Sequence, residues 1–281
     1  MAGQELKALR AAAAVAEELA RGAGKILLDW RLRLTAGDIG RKSADSDLVT
    51  RADLASEAFV LQGLRAAFPA DGILAEESGA TLGPARHVWY LDPLDGTVNF
   101  VHGLPIFAVS LARVTQGRPD LAVVTIPVLD ECFVAVRGGG CRLNGTLVRV
   151  SATREPLQAL LATGFPYRRH HLQDNNLENF NRMFLHQRGI RRMGAAAVDL
   201  AYVAAGRLDA YWELHLSPWD VAAGALLVQE AGGVVDTLVP GGDWLHGRNV
   251  IAGPEPLVSE LRRLLLAGRG ANYPDLGDRA P

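Results

Sequence analysis

Carboxylate side chains follow the ends of several short apolar segments in this 281-residue chain. Glu76 and Glu77 come directly after the run GILA, and Asp92 comes directly after HVWYL. Side chains at the ends of strands and helices can converge on one cleft. The acidic residues placed in this way are Asp47, Asp53, Glu76, Glu77, Asp92, Asp95 and Asp220.

A cluster of carboxylates suits one kind of chemistry. Its members repel one another unless cations neutralise them. Oxygen ligands without Cys or His favour hard ions such as Mg²⁺ over zinc. Two or three such ions can bind a phosphoryl group, lower the pKa of a bound water and stabilise the leaving oxygen. The chain has no Cys-x5-Arg motif of a covalent phosphatase, so metal-activated water is the simpler nucleophile.

The segment DPLDGT, residues 92–97, adds features that suit a phosphate ligand. Pro93 stiffens the backbone between Asp92 and Asp95, which are close enough in sequence to share metal ions. Gly96 has no Cβ to block the close approach of a ligand. Thr97 offers a hydroxyl and an N–H group, and a helix that begins here would present its N–H groups to phosphate.

Each of these features also has a purely structural interpretation. Asp-Pro and Asp-Gly are common turn dipeptides, and the Glu76-Glu77 pair suits a solvated surface. Asp220 suits a helix N-cap, and Asp53 suits the positive end of a helix dipole. The combination of all of them, in this order, favours the chemical interpretation.

Periodicity predicts alternating helices and strands. The expected helices cover residues 5–30, 50–68, 174–188, 195–205, 218–233 and 254–268. The expected strands cover residues 86–91, 106–114, 121–128, 132–140, 141–151, 160–165, 208–214 and 249–253. Such alternation favours α/β layers stacked around shared cores. Because the composition changes near residue 155, we expect a single unit over 1–281 in two halves, 1–154 and 155–281, with the metal and phosphate sites in the first half and the substrate side in the second.

The composition is that of an ordinary globular protein, with 49% hydrophobic and 21% charged residues and a net charge of -2. This balance gives no general basic surface for nucleic acid. The two cysteines, Cys132 and Cys141, form no CxxC pair and suit a reducing compartment better than a zinc site. We find no uncharged stretch long enough to span a bilayer and no signal peptide, and we therefore expect a cytoplasmic protein.

Three segments resemble the paired signatures of the inositol monophosphatase family. They are EES at 76–78, DPLDGTVNFVHGLP at 92–105 and PWDVAAGALLVQEAGG at 218–233. The resemblance extends from about residue 5 to residue 265, and the stretch 194–213 is especially similar to bacterial members. It implies a layered α-β-α-β-α sandwich of the sugar-phosphatase type, a homodimer, a requirement for Mg²⁺ and inhibition by Li⁺.

The resemblance also implies roles for individual residues. It assigns metal binding to Glu76, Asp92, Asp95, Asp220 and the backbone carbonyl of Leu94, with Asp47 and Asp53 near an additional metal. It assigns catalytic roles to Glu76, Asp53 and Thr97, the last two of which orient and deprotonate the attacking water. It assigns substrate contacts to Leu94, Asp95, Gly96, Thr97, Lys42, Arg191, Gly194, Ala195, Ala196, Glu213 and Asp220. Val98 stands where a second threonine is common, so one hydroxyl near the phosphate is lost while Thr97 is kept. Ala195 stands where Ser or Thr is usual, which bears on substrate identity more than on chemistry.

The substrate expected from the resemblance is a small phosphorylated polyol or sugar, with inositol 1-phosphate first. Fructose 1,6-bisphosphate, histidinol phosphate and phosphoadenosine nucleotides are alternatives, although Glu213 suits a polyol. An alternative of another class is a binding protein of the transcription machinery that associates with RNA polymerase, as some bacterial relatives act in that way. Retention of the whole acidic set favours an enzyme.

Overall fold

The computed structural model describes residues 2–42, 44, 47–81, 85–270 and 273–277. Its helices in this part of the chain are α1 (Ala2–Arg31), α2 (Arg51–Ala67), α3 (Thr97–Val101), α4 (Leu177–Met183), α5 (Ala196–Ala204), α6 (Pro218–Glu230) and α7 (Glu255–Leu266). No helix among these residues is long and apolar enough to cross a membrane.

The strands of the described residues form two large sheets and one small hairpin. They are β1 (Ile39–Arg41), β2 (Leu48–Thr50), β3 (Gly72–Ala75), β4 (Gly79–Thr81), β5 (His87–Asp95), β6 (Ala108–Thr115), β7 (Arg118–Ile126), β8 (Glu131–Val136), β9 (Gly140–Leu143), β10 (Thr146–Val148), β11 (Leu160–Thr163), β12 (Gly189–Arg191), β13 (Ala210–Leu214), β14 (Val234–Asp236) and β15 (Asn249–Gly253). The eight-stranded sheet has the order β10-β9-β8-β7-β6-β5-β3-β4, and the five-stranded sheet has the order β12-β11-β13-β15-β14. The hairpin pairs β1 with β2.

Five layers stack on one another. Helices α1 and α2 pack on one face of the eight-stranded sheet, and α5 and α6 lie between the two sheets. Helices α4 and α7 cover the outer face of the five-stranded sheet. This arrangement confirms the α-β-α-β-α sandwich expected from the sequence.

Three apolar cores hold the layers together, one for each helix layer. The core under α1 and α2 includes the fully buried Ala16, Ala20 and Ala23, whose small side chains let α1 lie close to the sheet. The central core contains most of α5 and α6, which are apolar on nearly all sides because both faces meet a sheet. The third core joins the five-stranded sheet to α7.

The elements differ from the sequence prediction in two places that matter for function. The strand expected at 86–91 continues through Asp95 as β5, with a bulge between Asp92 and Asp95 where Pro93 lacks an N–H group for the ladder. The helix expected at 174–188 is reduced to α4, and it is preceded by Asn176 in a left-handed conformation. The three-residue strands β1, β2, β4, β12 and β14 escaped detection because such short segments carry no clear periodicity.

Candidate active site

One cleft of about 460 Å³ collects nearly all of the predicted site residues. It lies where the ends of β3, β5, β11 and β13 face the starts of α3, α5 and α6. Its volume lies within the usual range for small-molecule sites. The predicted residues that line it are Lys42, Asp47, Glu76, Asp92, Leu94, Asp95, Gly96, Thr97, Gly194, Ala195, Ala196, Glu213 and Asp220.

Glu76 and Asp92 meet because β3 and β5 run parallel. Ala75 pairs with Leu91 in the register of the two strands, and the Glu76 N–H group donates to the Leu91 carbonyl at 3.1 Å. Glu76 and Asp92, which follow this last pair of residues, therefore emerge at the same edge of the sheet. Lys42, from the β1–β2 hairpin, approaches this edge with its Nζ 2.7 Å from Glu76 Oε1 and also contacts the Glu77 carboxylate.

Asp95 is held by the beginning of α5. Its carboxylate oxygens accept the N–H groups of Ala196 at 3.2 Å and Ala197 at 2.7 Å. Gly96 follows with φ +90°, a conformation that suits glycine, and a Cβ here would lie 2.9 Å from the Ile106 carbonyl. This glycine lets the chain turn from β5 directly into α3.

Asp220 enters the cleft from the first turn of α6. The helix begins with a capping box in which the Asp220 carboxylate accepts the Ser217 N–H group at 2.7 Å. Ser217 is therefore the N-cap and Asp220 the third residue of the helix, so the N-cap interpretation of Asp220 is wrong, although Asp220 does take part in capping the helix. The capping interaction fixes the side chain so that it faces the carboxylates of β5.

Burial and mutual repulsion disfavour the charged forms of the carboxylates in the cluster. Burial and the neighbouring carboxylates raise the pKa of Asp92 and of Asp220 well above the ordinary value. Burial, together with the Glu76 charge, raises the pKa of Asp95 to about 7, although the amides of α5 oppose this shift. Buried oxygen donors that repel one another are the donor set that fits Mg²⁺. Among the described residues no group of three or more Asp, Glu, His or Cys side chains is arranged so that it could hold a metal ion as it stands, and the Lys42 ammonium partly neutralises Glu76.

Asp53 lies behind this cluster and contacts it through Thr97. Asp53 Oδ2 accepts the Thr50 N–H group at 2.8 Å and the Thr50 hydroxyl at 2.6 Å, which is the capping box of α2. Its Oδ1 accepts the Thr97 hydroxyl at 3.0 Å, and that hydroxyl also lies 3.0 Å from the Leu94 carbonyl. Burial raises the pKa of Asp53 to about 6. Asp47 lines the cleft nearby, at the end of the β1–β2 turn.

Glu213, near the end of β13, lines the same cleft. The Tyr211 hydroxyl donates to its carboxylate, and a Cβ at Gly164 would collide with it. Burial raises the pKa of Glu213 to about 7, while the Tyr211 hydrogen bond and the Arg192 charge lower it. A polar acceptor thus stands in a fixed position facing the acidic cluster.

The structure places Arg191 differently from the prediction. Arg191 is exposed outside the cleft, where it donates to the carbonyl of Ile190, while Arg192 lines the cleft. Successive side chains of an extended segment point to opposite faces, so only one of the two can face inward. The sequence pattern of two adjacent arginines did not indicate which one.

Several cleft residues were not anticipated. Tyr167 and Arg168 follow β11, so the strand-end rule that identified Glu76 would have identified them as well. His215 and Arg248 also line the cleft, but no local motif marks them. These four residues line the same cleft as Arg192 and the acidic cluster.

Comparison with known proteins agrees with this geometry. Residues 8–267 match the model of the inositol monophosphatase family. The chain is 47% identical over 246 residues to Nus factor SuhB of Pseudomonas aeruginosa, covering 85% of this chain and 90% of that protein. It is 43% identical over 212 residues to inositol-1-monophosphatase of Mesorhizobium japonicum, covering 74% and 79%.

Solved structures agree as well. Extragenic suppressor protein suhB from Bartonella henselae superposes with a TM-score of 0.86 at 40% identity, covering 92% of this chain and 99% of that one. Inositol monophosphatase from Anabaena gives a TM-score of 0.83 at 38% identity, covering 92% and 96%. Because the family model, the fold and the acidic cleft all agree, this chain belongs to the inositol monophosphatase family.

Proposed function

We propose that this protein is a Mg²⁺-dependent phosphatase that hydrolyses a small phosphorylated polyol or sugar by direct attack of water, and that inositol 1-phosphate is the first substrate to test. The observation that carries the proposal is the meeting of four carboxylates from three separate segments, Glu76, Asp92, Asp95 and Asp220, in one cleft. Membership of the inositol monophosphatase family supports the reaction class. Homodimer formation and inhibition by Li⁺ are further expectations from the same family.

The four carboxylates and the Leu94 carbonyl would hold two Mg²⁺ ions, with Asp47 near a third, weaker one. When bound, the ions would bind the phosphoryl oxygens, lower the pKa of a water and stabilise the leaving oxygen. The burial of the cluster supports this assignment, because ionised carboxylates in this environment need a compensating charge.

Asp53 and Thr97 would take the proton from the attacking water. Asp53 Oδ2 is already occupied by Thr50, so Oδ1 alone faces the Thr97 hydroxyl. While donating to Oδ1, the Thr97 oxygen can accept a hydrogen bond from water. A proton can then pass from water to Thr97 Oγ1 as the hydroxyl proton passes to Asp53 Oδ1. With a pKa of about 6, Asp53 is mostly ionised near neutral pH and able to accept it.

Glu213 would receive hydroxyl groups of the leaving alcohol. Its carboxylate is buried in the same cleft as the acidic cluster and is oriented by Tyr211. A carboxylate accepts hydrogen bonds from neighbouring hydroxyls of a polyol, which favours that substrate class over an aromatic ester.

The direct test is phosphate release from a panel of monoesters with Mg²⁺ or with EDTA. The panel consists of inositol 1-phosphate, fructose 1,6-bisphosphate, histidinol phosphate, 3′-phosphoadenosine 5′-phosphate and the plain ester p-nitrophenyl phosphate. We expect release only with Mg²⁺ and fastest from a polyol or sugar ester. Absence of release from every ester at saturating Mg²⁺ would refute the proposal.

Replacing Thr97 by valine tests the proton path. Valine keeps the shape of the buried side chain but removes the hydroxyl between water and Asp53. We expect kcat to fall about a hundredfold, the usual size of a general-base contribution, with KM changed far less. Thr97→Ser restores the hydroxyl and should recover most of kcat. A Thr97→Val enzyme that differs from the wild type in KM alone would contradict the assigned role.

A second candidate function is supported by the SuhB relatives. Because a Nus factor SuhB is 47% identical to this chain, association with the transcription machinery is a proposal of its own, compatible with phosphatase activity. Co-purification of RNA polymerase with the tagged protein, compared between wild type and a phosphatase-inactive variant, tests whether such binding occurs and whether it depends on catalysis.

A further inference from the structure

His215 and Arg248 lie side by side in the cleft. β13 ends at Leu214 and β15 begins at Asn249, and these two residues pair in the antiparallel ladder. His215 directly follows β13 and Arg248 directly precedes β15, so the two residues are neighbours at the same end of the strand pair. The Leu216 N–H group donates to the Arg248 carbonyl at 3.1 Å. Both side chains line the cleft wall.

Both residues have an unusual backbone conformation. His215 has φ +66° and Arg248 has φ +60°, in the left-handed region that favours glycine. Glycine would adopt the backbone conformation of either position without strain. Strained non-glycine residues that cluster in a cleft indicate that the side chains themselves are used there.

The hydrogen bonds of His215 fix both its tautomer and Arg248. Its Nε2 lies 2.6 Å from the Asp174 carbonyl, which can only accept, so Nε2 carries the proton. Its Nδ1, 3.3 Å from Arg248 Nη2, then accepts from the guanidinium. His215 thus orients Arg248 without cancelling its charge. In the part of the chain that the structure describes, no carboxylate forms a salt bridge with Arg248.

Two more arginines line the same cleft. Arg168 and Arg192 belong to it, and the Arg192 charge acts on Glu213. The cleft therefore combines an acidic cluster that suits metal ions with several guanidinium groups. Guanidinium groups bind phosphoryl and carboxylate groups through paired N–H donors. A phosphate held by the acidic cluster would leave the Arg248 guanidinium to contact another part of the same substrate.

We infer that the cleft selects phosphate monoesters that carry a second anionic group, phosphoryl or carboxylate, which Arg248 binds and His215 positions. The inference rests on the proposed phosphatase function and narrows its substrate class from singly to doubly anionic esters. The second group lies on the leaving alcohol, so hydrolysis releases orthophosphate and an alcohol that is still anionic.

Two matched substrate pairs test the inference, each differing by one anionic group. They are fructose 1-phosphate with fructose 1,6-bisphosphate, and glycerol 2-phosphate with 2-phosphoglycerate. We expect kcat/KM to be about tenfold or more higher for the doubly anionic member of at least one pair, the size expected for a charged hydrogen bond. The pair that responds distinguishes a phosphoryl from a carboxylate group.

Variants at position 248 connect the preference to the residue. Arg248→Gly removes the guanidinium and fits the left-handed backbone, and we expect it to reduce the preference about tenfold through a higher KM for the doubly anionic ester. Arg248→Lys should retain part of the preference. Gln116→Gly, at a left-handed turn outside the cleft with φ +51°, controls for relief of backbone strain and should retain all of it.

Three outcomes would overturn the inference. Equal kcat/KM within both pairs, or a preference unchanged in Arg248→Gly, would overturn it while the phosphatase function stands. Failure to release phosphate from any ester would remove the phosphatase function and this inference together.

Discussion

Asp95→Asn is expected to lower phosphate release at least about a thousandfold, since it removes a ligand charge from the cluster that would hold the metal ions. Asparagine has nearly the same shape, and its remaining oxygen can still accept the Ala197 N–H group, now 2.7 Å from Asp95. The lost hydrogen bond costs about 1 kcal/mol. The substitution also removes the repulsion between Asp95 and the neighbouring carboxylates, which stabilises the fold, because the pKa of Asp95 is raised to about 7. We therefore expect Tm without Mg²⁺ to be equal to or above that of the wild type at about pH 8.

The control for this experiment is Asp130→Asn. The Asp130 side chain is 97% exposed and lies outside the cleft, so the same chemical change there should leave turnover intact. Phosphate release and thermal unfolding of both variants are measured on protein prepared in parallel, which also controls for a contaminating phosphatase. An Asp95→Asn protein that keeps more than about a tenth of wild-type kcat would contradict the site assignment.

Mg²⁺ is expected to stabilise the fold much more at about pH 8 than at about pH 5.5. Burial and mutual repulsion raise the pKa of Asp92, Asp95 and Asp220, in the case of Asp95 to about 7. Without metal, the folded state therefore binds more protons than the unfolded state between the ordinary carboxyl pKa and about 7. Stability then falls as pH rises through that window and stays low above it. Mg²⁺ requires the ionised carboxylates, so it restores this stability mainly at high pH.

Thermal unfolding with Mg²⁺ and with EDTA, at equal ionic strength, measures the effect. Saturation at about a hundred times Kd stabilises a protein by about 2.7 kcal/mol, which corresponds to a Tm rise of roughly 5 °C or more for a chain of this size. We expect such a rise at about pH 8 and less than half of it at about pH 5.5. Asp95→Asn should show a reduced rise at the higher pH. A Tm rise equal at both pH values, or larger at the lower one, would exclude linkage to these carboxylates.

The features that follow from local sequence were predictable. Asp53 and Asp220 lie three residues after Thr50 and Ser217, and both form the capping boxes that such spacing favours. Gly96 allows the turn between β5 and α3 because glycine, which has no Cβ, adopts φ +90° without steric strain. The oxygen-rich donor set, and hence the choice of Mg²⁺ over zinc, is a matter of residue type. The layered fold followed from periodicity together with the family resemblance.

The features that depend on packing could not be read from the chain. Asp95 accepts a hydrogen bond from Ala197 of α5, which lies 102 residues further along the chain. This contact exists because α5 is held between the two sheets. Which of two adjacent arginines enters the cleft depends on how β12 is oriented on β11. The pairing of His215 with Arg248 arises because antiparallel β13 and β15 bring together positions that are 33 residues apart. Residue type and spacing specify chemical capacity and local conformation, whereas the side chains that share a cleft are set by contacts between distant segments, which local periodicity does not encode.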